Sequence, residues 1–250
     1  MKEKCKYGNA YITLLSTEDY LPAVLVLKES FKKVNARYPL ICAVTEDICS
    51  KDIETSLKNH DIFIERIPRL YYCPETRKKE EGETVLNTAS KIALFNLKDY
   101  EKLCYIDADT MVVQNIDNVF NWLDGSMVEP SPSEEDDRYG FTGLFVFQPV
   151  YHRYDFYKKL ITECEGADGD ILGSLWFYTR TSLSHRIPYS YCMHYSYAEV
   201  LIRRERQGRV LPKVIHFCNK EKPWLKKYEP FFKDKKDSYI SLYRELLNKI

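Results

Sequence analysis

The 250-residue sequence has no net charge, because 37 Lys and Arg stand against 37 Asp and Glu. A general nucleic-acid or membrane-surface binder carries a field of one sign, so neither partner is expected. The eight cysteines, at positions 5, 42, 49, 73, 104, 164, 192 and 218, include no Cys-x-x-Cys pair and no zinc-like spacing. They read as free, mostly buried thiols. No run is long enough to span a bilayer, no apolar leader follows Met1, and there is no Asn-x-Ser/Thr sequon. A cytoplasmic protein is the expectation. Repeats and low-complexity linkers are missing as well. What remains is the composition of a folded body, 44% hydrophobic and 30% charged, with tyrosine high at 20 residues.

Short apolar runs alternate with helical patterns. Strands are expected at Ala10 to Leu15, Pro39 to Val44 and Asp61 to Ile67, with helices at Tyr20 to Val34 and Ser50 to Lys58 between them. Pro22 falls in a first helical turn, where its missing N–H costs nothing. Arg69 to Thr84, with its charge run Arg77 to Glu81, reads as a mobile loop. Thr88 to Leu97 has a helical pattern with Thr88 as its cap. Lys102 to Ile106, Gly143 to Gln148 and Val214 to Phe217 read as strands, and Tyr151 to Cys164, Asp168 to Tyr178 and Ser238 to Lys249 as helices. Such alternation predicts one α/β domain with a largely parallel sheet and helices on both faces.

Two segments carry chemistry. Asp107, Ala108 and Asp109 follow directly on the apolar run Leu103 to Ile106, at the carboxyl end of a strand, where open α/β sheets bind ligands. Two carboxylates one residue apart at an exposed strand end can chelate a hard divalent cation, which in turn neutralises a diphosphate. Spacing alone does not discriminate, since Asp168-Gly169-Asp170 repeats it. In His216-Phe217-Cys218-Asn219-Lys220-Glu221-Lys222-Pro223-Trp224, the imidazole can complete an oxygen-plus-nitrogen set suited to Mn²⁺. The Lys222 ammonium can lie against a phosphate.

The motifs YITLLSTEDY from residue 11, YIDADT at 105 to 110, GFTGLFVFQP at 140 to 149, GADGDILGSLWF at 166 to 177 and HFCNKEKPW at 216 to 224 together resemble glycosyltransferase family 8. Within it they are most like the glycogenins. The resemblance implies a GT-A fold, a Rossmann-like, mostly parallel sheet fused to an acceptor-binding half. Over residues 1–250 it implies one domain with a nucleotide-binding half of about 1–110, an acceptor-binding half of about 111–224 and a helical tail at 225–250. It also implies a Mn²⁺-dependent, retaining transfer of a hexose from a UDP-sugar, UDP-glucose foremost, to a glycan or protein acceptor, and a homodimer.

By motif position, the resemblance makes Asp107, Asp109 and His216 metal ligands. Leu14, Ser16, Thr17 and Tyr20 would hold uridine, Ala108 the ribose, and Asn219 and Lys222 the diphosphate. Lys91 would touch the donor sugar and leaving phosphate, and Asp168 would stand beside the sugar as stabiliser or transient nucleophile, with Glu165 in reserve. Read without the resemblance, Lys91 is a solvated helix lysine and Asp168 a helix N-cap. Departures from the family pattern gather at the sugar: Phe141 replaces a donor-binding amide, Gly169 a glutamine, Cys192 an asparagine, and Asn219 a glycine. They leave open a second reading, a non-catalytic or mainly donor-hydrolysing UDP-sugar or glycan binder. Glycogenins glucosylate a tyrosine of their own in a Tyr-Ser-Tyr stretch, which makes Tyr195-Ser196-Tyr197 a candidate self-acceptor.

Overall fold

The structure is a computed structural model, and it describes residues 7–74, 87–129, 141–163, 172, 183–198, 211–218, 222–225 and 239–250. Strands β1 (Tyr7–Leu15), β2 (Leu40–Thr45) and β3 (Phe63–Ile67) are joined through helices α1 (Leu21–Lys33) and α2 (Lys51–Asn59). A 3-10 helix at Asn87–Asn96 leads into β4 (Tyr100–Ile106), followed by β5 (Thr110–Val112), β6 (Ser126–Val128) and β7 (Phe141–Phe147). Helix α3 (Tyr151–Glu163), β8 (Arg186–Ile187), β9 (Met193–His194), β10 (Val214–His216) and α4 (Tyr239–Leu247) complete the described elements.

The main sheet has the order β3-β2-β1-β4-β7-β6-β8. Its β3-β2-β1-β4 half is parallel throughout, and β7 runs antiparallel between β4 and β6. All six residues of β2 are buried, as a strand covered on both faces requires. On one face Tyr11, Cys104 and Ile106 pack with Val26 and Leu27 of α1 and Tyr243 of α4, and Leu15, Cys42 and Val44 pack with Ile53 and Leu57 of α2. On the other, Ile12, Leu103, Tyr105 and Phe145 pack with the 3-10 helix and with Tyr157 and Ile161 of α3.

Local chemistry explains the boundaries. Pro22 occupies the first turn of α1, and Lys32 and Lys33 close its last turn, where cations favour the helix dipole. Ser50 caps α2 by accepting from the Ile53 N–H at 3.5 Å. The segment expected as an α-helix from Thr88 is instead a 3-10 run that begins at Asn87, so Thr88 lies within it. Its hydroxyl pairs with that of Tyr72 at 2.7 Å, and every residue from Ala89 to Phe95 is buried. Residues 69 to 74 of the expected mobile loop are tied down: Leu70 N–H donates to Ser90 Oγ at 3.0 Å, and Tyr72 and Cys73 are buried. Residues 75 to 84 of that loop, Asp168 to Tyr178 except Leu172, Glu165 and Asn219 lie outside the described residues. Among the described cysteines, Cys42, Cys73, Cys104 and Cys192 are buried, Cys49 and Cys218 are exposed, and all are free.

β5, β9 and β10 form a small second sheet in the order β5-β10-β9. Antiparallel pairing sets His216 opposite Thr110. That ladder delivers the imidazole, 107 residues from Asp109 in sequence, to the turn after β4.

Candidate active site

In the parallel half the strand order reverses between β1 and β4, the switch point at which open α/β sheets leave a crevice at their carboxyl ends. A cavity of about 310 Å³ opens there. Leu14, Ser16, Thr17, Tyr20, Lys91, Asp107, Ala108, Asp109, His216 and Lys222 all line it, so the structure gathers every described residue of the expected site.

The corner after β4 is built from backbone bonds. Asp107 N–H donates to the Gly143 carbonyl of β7 at 3.0 Å, Thr110 Oγ1 to the Asp107 carbonyl at 2.7 Å, and Phe217 N–H to the Asp109 carbonyl at 2.9 Å. Asp107 is thereby fixed to one neighbouring strand and Asp109 to the segment after the other. Their carboxylates are not the exposed strand end expected from the sequence. Asp109 is buried and Asp107 half-buried, because β7 and β10 close over the turn.

Each carboxylate has a set of cationic and hydroxyl partners. Lys222 Nζ donates to Asp109 Oδ2 at 2.6 Å and to the Phe217 carbonyl at 3.0 Å. His216 Nε2 lies 3.1 Å from Asp109 Oδ1 and 3.6 Å from Asp107 Oδ2. Lys91 Nζ lies 3.1 Å from Asp107 Oδ1, which also accepts from the Tyr105 hydroxyl at 2.5 Å. Lys91 is therefore no solvated helix lysine; it is 3% exposed and turned inward from the 3-10 helix. Burial alone would raise the Asp109 carboxyl, but the charges and hydrogen bonds of His216 and Lys222 outweigh it and hold the group below the usual carboxylate range. The Tyr20 phenol is pushed up, first by burial and then by the charges of Asp109, Asp107 and Asp19.

One ligand atom each from Asp107, Asp109 and His216 lie within 4.8 Å of one another. Two carboxylate oxygens and an imidazole nitrogen that converge in this way fit a divalent cation. Tyr20 faces them across the cavity, with its ring 5.1 Å from Trp224 and 5.8 Å from Lys222 Nζ.

Several residues at this site carry no signal in the sequence. Tyr105 reads as a strand residue, yet its hydroxyl orients Asp107 and its ring lies 5.1 Å from Lys91 Nζ. Arg69 sits in a charged loop, yet its guanidinium donates to the Ser16 carbonyl, to Asn87 Oδ1 at 2.9 Å and to Asp47 Oδ2 at 2.8 Å. It joins the end of β1 to the start of the 3-10 helix. Thr142 also lines the cavity. Phe141, the residue in place of the expected amide, stands edge-on to the His216 ring at 5.2 Å. Tyr195, one of the expected self-acceptors, is 1% exposed and packs on Phe217 at 5.1 Å, so it does not face a donor. Tyr197 is half-buried, with its ring against Tyr189. Among the described residues no helix is long and apolar enough to cross a membrane.

Residues 11–128 match the profile of glycosyl transferase family 8. Human glycogenin-2 is 27% identical over 233 residues, covering 88% of this chain and 44% of that protein. Galactinol synthase 1 of Solanum lycopersicum is 27% identical over 245 residues, covering 88% of this chain and 74% of that one. The chain thus spans less than half the length of the first of these relatives. Its fold is similar to that of the galactosyltransferase LgtC, crystallised with donor and acceptor sugar analogs, at a TM-score of 0.63 and 14% identity over 96% of both chains. The profile match over residues 11–128, the relatives along most of the sequence and the GT-A fold shared with LgtC make this chain similar to glycosyl transferase family 8, a family of glycosyltransferases.

Proposed function

We propose that the protein is a retaining hexosyltransferase that takes its sugar from a UDP-sugar, UDP-glucose foremost, with Mn²⁺ as cofactor and a glycan or protein as acceptor. The observation that carries this reading is the cavity at the β1/β4 switch point, where ten residues expected at a donor site meet and three of them converge as ligands. Leu14, Ser16, Thr17 and Tyr20 form the wall for the nucleoside and Ala108 lies beside it. Asp107, Asp109 and His216 would hold the cation, which when bound would supply positive charge against the diphosphate. Lys222 and Lys91, both buried, add ammonium groups on either side of that position, so the leaving charge would develop among preorganised cations. Asp168 and Asn219 keep the parts that their motifs imply, beside the sugar and the diphosphate. In the division into a nucleotide half and an acceptor half, His216 and Lys222 belong with the former, because the β5-β10 ladder returns them to it.

A specific observation favours a second outcome of the same donor chemistry. Phe141 and Cys192 present ring and thiol beside His216 where amides were expected, so hydrogen bonds to a sugar's hydroxyls are fewer on that side. Water then competes better with the acceptor, and hydrolysis of the donor gains on transfer. Release of UDP from a panel of UDP-sugars, with Mn²⁺ and with EDTA, tests the main reading. We expect Mn²⁺-dependent release from at least one hexose donor; no release from any donor would overturn it. Comparing UDP released with sugar transferred then apportions hydrolysis and transfer.

A further inference from the structure

Helix α4, at the far end of the chain from the family motifs in β1 and β4, reaches the frame of the donor site through the Tyr243 ring. Tyr243 is completely buried. Its ring meets Phe217 edge-on at 5.0 Å and stacks against Trp224 at 6.3 Å. Both neighbours belong to the site's frame. Phe217 follows His216, and its carbonyl accepts from Lys222. Trp224 lies two residues beyond Lys222, edge-on to Tyr20, and its indole N–H donates to the Asp19 carbonyl at 3.0 Å. The segment bearing His216 and Lys222 is thus held against the segment bearing Tyr20 through two aromatic residues, and Tyr243 fills the space behind both.

We propose that Tyr243 is a positioning residue of the nucleotide site. Its ring sets the stance of Phe217 and Trp224, and through them the reach of Lys222 and Tyr20 onto a nucleoside diphosphate. A buried aromatic ring removes about 150–250 Å² from water and leaves a cavity when truncated, into which its neighbours relax. Here those neighbours are the supports of two binding groups, and displacements of about 1 Å at such groups cost on the order of 100-fold. The Tyr243 hydroxyl forms no hydrogen bond with any described residue, so the ring and not the oxygen carries the effect.

The proposal rests on reading the cavity as a UDP-sugar site, and titration calorimetry of UDP in the presence of Mn²⁺, with the full chain, separates the two. Wild-type protein that binds no UDP overturns the site reading itself. Given binding, Tyr243→Ala is expected to weaken UDP at least about 10-fold, and Tyr243→Phe to restore it to within about twofold. Leu246→Ala removes another buried side chain from the same helix and leaves the Tyr243 ring in place against Phe217 and Trp224. It is expected to lower thermal stability while leaving UDP affinity within about twofold. Should Tyr243→Ala not fold, Tyr243→Leu, which keeps apolar volume and loses the flat ring, is expected to weaken UDP severalfold. Unchanged affinity in the folded truncation, or equal losses in Leu246→Ala, overturns the proposal. So does a loss in Tyr243→Phe as large as in Tyr243→Ala, which would assign the effect to the hydroxyl.

Discussion

The two sides of His216 differ in kind. Its Nε2 faces a charged wall in which Asp107, Asp109, Lys91 and Lys222 are bonded in pairs, all but Asp107 buried. Its Nδ1 faces an apolar flank of Phe141, Gly143 and Cys192, and bonds to no described residue. A metal-binding histidine ordinarily donates its second ring N–H to a carboxylate or carbonyl that fixes its orientation. Here shape does that work. A Cβ placed on Gly143 would lie 2.9 Å from the Phe141 ring, 3.1 Å from His216 Nδ1 and 3.2 Å from Cys192 Sγ, so the flank is packed to contact around the imidazole. The charged wall therefore governs affinity for cation and diphosphate, and the flank governs where the imidazole stands and what the sugar meets.

The strongest way to break this division is to remove a carboxylate. Asp107→Asn and Asp109→Asn are each expected to lower Mn²⁺-dependent UDP-sugar turnover by at least about 10²–10³-fold. Their stability costs should differ. Asp109→Asn deprives both His216 and Lys222 of a buried charge partner, whereas Asp107 is half-buried. Truncating one member of a buried ion pair costs about 3–5 kcal/mol, so the thermal midpoint should fall clearly further for Asp109→Asn. Turnover like that of the wild type in either variant would remove the metal assignment, and equal thermal midpoints would remove the claim that Asp109 is the buried anchor of the wall.

Lys222→Met keeps the stem and deletes the ammonium. A charge-assisted hydrogen bond of about 1.5–3 kcal/mol corresponds to roughly a 10- to 100-fold loss in UDP affinity. The ranking of hexose donors should stay the same, because an ammonium on a diphosphate senses charge and not hydroxyl pattern. A changed sugar preference with intact UDP affinity would move Lys222 from the charged wall to the sugar side.

The two sides also differ in how far the sequence discloses them. Strands β1, β2 and β4 stand out as apolar runs, and Asp107 and Asp109 are visible because they follow one of them without a break. His216 and Lys222 are placed by their motif, although nothing in a linear reading brings residue 216 beside residue 109; the β5-β10 ladder that does so is three residues long and carries no period. Burial is the quantity least legible. Lys91 reads as a surface lysine because charge is its only local feature, and the partner that makes burial tolerable is 16 residues away. The 3-10 geometry of Asn87–Asn96 escapes a pattern reading for the same reason, since its seven consecutive buried residues are set by the sheet beneath and not by helical spacing. Tyr105, Arg69 and Gly143 act through contacts with segments distant in sequence.

Gly143→Ala sharpens the comparison from the apolar side. The added methyl falls inside contact distance of the Phe141 ring and His216 Nδ1, and overpacking of this kind costs about 1–3 kcal/mol. If the flank positions the imidazole, the variant should bind Mn²⁺ about 10-fold more weakly, in line with losses of about 10–100-fold when the support of a metal ligand is altered. Calorimetry of Mn²⁺ in the presence of UDP checks this. A destabilised protein with unaltered Mn²⁺ affinity would make the flank mere packing.

The smallest effect is expected at Tyr195. Its Tyr-Ser-Tyr context suggested a self-acceptor, but acceptance of a hexose requires the phenolic oxygen to reach the anomeric carbon of a donor in the cavity. The side chain is instead buried in the hydrophobic core, its ring 5.1 Å from that of Phe217. Exposing it would mean withdrawing a Tyr ring from the core, at a cost of several kcal/mol. Intact mass after incubation with UDP-glucose and Mn²⁺ should therefore show no added hexose that depends on Tyr195, and Tyr195→Phe should match the wild type in both mass and UDP release. Hexose units present on the wild type and lost in Tyr195→Phe would show that the segment leaves the core to be modified.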